Sequence, residues 1–106
     1  MRKKTIAPLV IAAAGMLLMT AACETHSRAK QLLQQEQCLD CHSIKGDGGA
    51  VGPNLTVVGS RRSRDFIIQQ IRDPKSHNPN TAMPSYGSRL SEQDINALAE
   101  YLSGLK

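Results

Sequence analysis

Cys38-Leu39-Asp40-Cys41-His42 decides how this chain must fold. C-x-x-C-H is the attachment motif for a c-type haem. Two thiols at this spacing suit the two vinyl groups of one porphyrin, and the adjoining imidazole then reaches the iron axially. Two other chemistries use similar residues. A thioredoxin-like redox pair wants a strand before the motif and a βαβ pattern, and neither is legible here. A structural zinc site needs four ligands, typically with a second Cys or His pair, and the sequence holds no second pair. The expected cofactor is one haem c, held through Cys38 and Cys41 with His42 on its iron.

Composition calls for such a group. Of 106 residues, the first 22 read as an export signal: Arg2, Lys3 and Lys4 form a basic start, an apolar run spans 6–19, and Thr20, Ala21 and Ala22 are small. Without that segment 84 residues remain, enough for one small domain. The formal charge of +4 falls to +1, because three of the 13 basic residues leave and all 9 acidic ones stay. The basic balance is thus mostly a targeting feature, and a nucleic-acid partner is not expected. Phe66, Tyr86 and Tyr101 are the only aromatic residues. A domain this small buries only about 60% of its unfolded surface, so a staple or cofactor must complete the core.

The sixth iron ligand follows by subtraction. Met1, Met16 and Met19 lie in the signal, which leaves Met83. A lone Met is ordinarily a core gap-filler. Here it sits in a polar, turn-rich stretch between Pro79 and Pro84, which stiffen its loop. His77 is the competing ligand, and His26 a more remote one.

These residues are similar to those of a small monohaem bacterial cytochrome c of the class I type, over most of 29–106. Ala29-x-x-Leu32-Leu33 stands where that family carries Gly-x-x-Leu-Phe, so the first and last helices are expected to cross differently. Gly52-Pro53-Asn54-Leu55 resembles the family's proline loop; the resemblance implies that the Pro53 carbonyl accepts a hydrogen bond from His42. Met83-Pro84 resembles the distal ligand segment, and Leu98-x-x-Tyr101-Leu102 the closing helix. The resemblance also implies an arginine on a haem propionate, for which Arg61, just after Gly59, is chosen over Arg62 and Arg64.

The hydrophobic spacing predicts an all-α fold of three or four helices wrapped around one haem. A helix is expected over 29–37 on the Ala29, Leu32, Leu33 stripe. A Gly-rich loop covers 43–60, with no stretch of strand-like alternation. Ser63 caps a helix carrying Ile67, Ile68 and Ile71, stopped by Pro74. Ser91 opens a last helix to Leu105 on Ile95, Leu98, Leu102 and Leu105.

Cys23 is the cysteine that a haem does not use. Thr20-Ala21-Ala22-Cys23 resembles a bacterial lipoprotein box, with Thr20 where the box usually carries Leu, and implies a lipid on Cys23. The expected organisation is a signal over 1–22, a polar tether over 23–28 and a cytochrome domain over 29–106. The chain should sit on the outer face of a bacterial membrane as a monomer. There it would pass single electrons between respiratory or photosynthetic partner proteins and catalyse no reaction. The alternative is a haem enzyme or gas sensor, which needs an open iron position that a Met83 thioether would fill.

Overall fold

The structure is a computed structural model that describes residues 23–106; the expected signal over 1–22 lies outside the described residues. Helix α1 covers 23–35. Its stripe of Ala29, Leu32 and Leu33 is 0%, 1% and 5% exposed, as spacings of three and four demand. It ends where Gln37 enters the left-handed region at φ 59°, and a 3₁₀ turn over Cys38–Asp40 follows at once. The expected boundaries need correcting at both ends. The helix stops two residues early. Residues 23–28, read as a tether, are helical, and their polar side chains find partners on the last helix. His26 meets Tyr101 edge-to-face with ring centroids 5.8 Å apart. Arg28 Nε and Nη2 donate to Asp94 Oδ1 and Oδ2, each at 3.0 Å.

The glycine-rich loop contains a small hairpin that sequence spacing did not reveal. Strands β1 (Ser43–Ile44) and β2 (Asp47–Gly48) pair antiparallel, Ser43 opposite Gly48. Lys45 and Gly46 between them both have positive φ, 51° and 88°, the backbone of a two-residue hairpin turn matched to strand twist. The remaining loop hangs on the haem-motif segment. Gly49 N donates to Leu39 O, Gly52 N to Cys41 O and Leu55 N to Ser43 O, all within 2.8 Å. A long loop is tolerated because its backbone groups are paired.

Helix α2 (Arg64–Arg72) starts at Ser63, whose Oγ accepts from Phe66 N, and Pro74 begins a 3₁₀ turn after it. Ile67 and Ile71 are buried, Ile68 only partly. Helix α3 (Glu92–Ser103) starts at Ser91, whose Oγ accepts from Asp94 N. It does not close a reciprocal capping box, because the Asp94 carboxylate is taken by Arg28. Ile95, Leu98, Ala99 and Leu102 of α3 join Leu32, Leu33, Ile67 and Ile71 in one core cluster. Tyr86 is its sole buried aromatic ring. Tyr86 N donates to Ile71 O, and its hydroxyl to Glu36 O at 3.2 Å. One residue thus joins the distal loop to α2 through its backbone and to the end of α1 through its hydroxyl.

The Arg28–Asp94 clamp has a pH signature. The Arg28 hydrogen bonds hold the Asp94 carboxyl below its ordinary value of 3.8, with the Arg28 charge and Ser91 assisting. A carboxyl depressed in the folded state contributes stability above its unfolded pKa and loses it as the pH falls through the folded one. Asp94→Asn should therefore melt at a lower temperature than the wild type at pH 7. The two melting curves, followed by circular dichroism, should converge below pH 3.8. The difference is small because the pair is partly exposed.

Candidate functional site

A cleft of about 970 Å³ opens between the haem-motif segment, α2 and the loop before α3. Leu33, Val58, Ile67, Ile71, Leu98 and Leu102 give it apolar walls. Cys38, Cys41, His42 and Met83 all border it. Neither cysteine is in a disulfide; Cys38 is half-buried and Cys41 exposed. Burial pushes the Cys38 thiol up, and the Glu36 charge adds to the rise. A thiol so placed resists ionisation and is slow to oxidise to a disulfide. As a neutral thioether the same sulfur has no charge to desolvate.

The His42 ring is held on two sides. Its Nδ1 lies 2.8 Å from the Pro53 carbonyl oxygen. A carbonyl only accepts, so Nδ1 carries the proton and Nε2 is the nitrogen left for a metal. A hydrogen bond of this kind fixes the orientation of a ligating imidazole and raises its basicity. The second side is Gly52. A methyl group there would stand 2.7 Å from His42 Cε1 and 2.9 Å from Nδ1. Only a residue without a side chain lets the loop lie this close to the ring.

The cleft is also bordered by Met83, half-buried against the core. Its Sδ accepts from Gln70 Nε2 at 3.5 Å. His77 also borders the cleft but is engaged elsewhere. It stacks on Phe66 with centroids 4.0 Å apart and rings 2° from parallel, and its Nδ1 is 2.7 Å from Gln70 Oε1. His26 sits on Tyr101, away from the cleft. The three arginines part company. Arg61 borders the cleft with Nη2 donating to Asn54 O at 2.6 Å, and Arg62 borders it lying over Phe66. Arg64 turns to Glu100 and Asn96 instead. Cys23 is exposed on α1, outside the cleft.

Sequence reasoning missed Gln70 and Phe66. Gln70 interrupts the apolar stripe of α2 between Ile67 and Ile71, and a polar residue at such a register is the signal that would have found it.

The donor set fits a c-type haem. Two thiols, one imidazole with a committed Nδ1 and one thioether meet at an apolar cleft, and the glycine cradle leaves the ring room. Among the described residues no three His, Cys, Asp or Glu side chains gather to hold a free metal ion.

Fold and site together define a small helical domain built to enclose a covalently held haem. The chain belongs to the cytochrome c family, as a monohaem member of class I with a covalent c-type haem: residues 24–102 match the family described as cytochrome C oxidase, cbb3-type, subunit III. It is 33% identical over 107 residues to cytochrome c-553 of Helicobacter pylori, covering all of both chains. It is also 33% identical over 88 residues to cytochrome c oxidase subunit 2 of Alkalihalophilus pseudofirmus, over 76% of this chain. The match spans about a quarter of that longer relative. The crystal structure of SoxXA from P. pantotrophus superposes with a TM-score of 0.68 at 18% identity, over 76% of this chain and 81% of that one. This likeness establishes the fold.

Gly52→Ala should force the new methyl group into the His42 ring or push the loop off it. Overpacking of this kind costs about 1–3 kcal/mol. The denaturation midpoint of the haem-loaded protein should fall accordingly, whereas Ala50→Gly in the same exposed loop should shift it far less.

Proposed function

We propose that this cytochrome is an extracytoplasmic one-electron carrier with His42 and Met83 as axial iron ligands. Cys38 and Cys41 hold the porphyrin through thioether bonds. The observation that carries the reading is that one cleft is bordered both by a His42 ring locked by Pro53 O and by the half-buried Met83. When bound, the haem supplies one reversible electron at its iron.

The residues perform the rest. His42 and Met83 suit both oxidation states, so little needs to move on electron transfer, and Met/His ligation raises the potential. Pro53 keeps the imidazole in one orientation. Arg61, bordering the cleft, is the residue assigned to a haem propionate, with Asn54 O fixing its guanidinium. The apolar walls keep water from the ring. A thioether on iron leaves no vacancy for a substrate or gas, which favours a carrier over a haem enzyme or sensor. The donor and acceptor are redox proteins docking at the exposed side of the cleft, where contacts of this class are small and weak.

Met83→Ala should retain covalent haem, lose the weak far-red absorption band of a thioether–iron bond in the oxidised protein, and lower the potential. Absence of that band in the oxidised wild type, with a visible spectrum altered by His77→Ala, would make His77 the ligand instead.

Anchoring is assigned to a lipid on Cys23. Among the described residues no helix is long and apolar enough to cross a membrane. The Cys23 thiol, at the start of the described part of α1, is exposed and in no disulfide. Stable attachment takes more than one acyl chain, at about 0.8 kcal/mol per buried methylene, as a multiply acylated lipoprotein cysteine provides. Cys23→Ser, if exported, should partition into the soluble fraction with an unchanged visible spectrum. A native chain of unmodified mass in that fraction would reject the lipid anchor and leave the haem site untouched.

A further inference from the structure

We infer that His77 is a positioning residue: it fixes which end of the Gln70 amide faces Met83, and so sets the potential from outside the ligand set. The inference rests on Met83 being the axial ligand. The two ends of a glutamine amide have nearly the same shape, but one donates and the other accepts. Gln70 touches two groups, Met83 Sδ at 3.5 Å and His77 Nδ1 at 2.7 Å. A thioether has no proton, so only the Nε2 end is attractive to the sulfur. That orientation sends Oε1 to His77, which must then carry its proton on Nδ1. The opposite orientation would put an oxygen lone pair against the sulfur.

His77 is itself immobilised. Its ring lies flat on Phe66, and the guanidinium of Arg62 stands over that same phenyl ring, 4.4 Å from the centroid. Phe66 and Gln70 are one helical turn apart on α2, so one helix face presents both the platform and the amide. The imidazole donates from Nδ1 whether neutral or cationic, so the polarity of the relay does not depend on its charge. A donor on the remaining lone pair of the sulfur draws electron density from the thioether. It becomes a poorer ligand to the ferric state, and the reduced state gains.

The test compares the potentials of the haem-loaded wild type with Gln70→Leu, His77→Phe and His77→Asn. Phenylalanine keeps the stack without the donor, while the asparagine Nδ2 stands in for the imidazole Nδ1. A hydrogen bond of ordinary net strength predicts that Gln70→Leu and His77→Phe each lower the equilibrium constant for reduction about threefold to tenfold, tenfold being about 59 mV for one electron. His77→Asn should stay within about twofold of the wild type. The double variant should fall no further than Gln70→Leu alone, and the far-red band should persist throughout. Nitrogen-15 spectra of neutral His77 should show the proton on Nδ1. The relay is overturned if His77→Phe leaves the potential in place while Gln70→Leu lowers it, or if the proton sits on Nε2. Absence of the far-red band in the oxidised wild type would instead overturn the axial reading, and the relay with it.

Discussion

The imidazole of His42 is pinned between a carbonyl oxygen and a bare α-carbon, and most of the chain's irregular structure exists to hold those two atoms in place. Pro53 O accepts the Nδ1 proton and Gly52 lies against the ring. Neither residue belongs to a helix. Their position comes from backbone bonds that tie the loop to the haem-motif segment: Gly49 to Leu39, Gly52 to Cys41, Leu55 to Ser43. The two-residue hairpin reverses the chain so that these bonds can form. A stretch that looks unstructured by composition is therefore among the most constrained parts of the molecule.

The opposite wall is built on different terms. Helix α2 turns Ile67 and Ile71 toward the core and brings Gln70 to the sulfur of Met83. The loop bearing Met83 has little secondary structure of its own. It is fastened through Tyr86, which bonds to Ile71 and to Glu36. One wall is held by a web of short backbone bonds within the loop, the other by a helix, the buried Tyr86 phenol and the backbone bonds of Tyr86 N to Ile71 O and Gly87 N to Arg72 O. Side chains that reach both core and cleft, such as Leu33, Leu98 and Leu102, join the two.

What could be read from the sequence was what lies close together in it. The haem motif occupies five residues, the caps at Ser63 and Ser91 act within one turn, and Met83 was isolated by counting. What escaped notice depends on partners far along the chain. Arg28 and Asp94 are 66 positions apart, so the opening turns of α1 looked like a solvated tether. Gln70 was missed because its partners, Met83 and His77, lie in a separate loop. The hairpin strands are too short for any alternation to register. The three neighbouring arginines were similar by spacing, and only the fold sends Arg64 away from the cleft.

The unbroken run of α1 from residue 23 to the edge of the haem motif has a mechanical meaning. Thirteen helical residues span about 20 Å, and the rod is clamped to α3 through Arg28 and His26. Cys23 and the cleft thus sit at opposite ends of one stiff lever rather than on a leash. A group attached at Cys23 would turn together with the redox centre, so orientation more than reach would set that centre's encounters with partners. A flexible linker spreads a tethered group over a large volume, whereas a rigid arm concentrates it along a narrow arc.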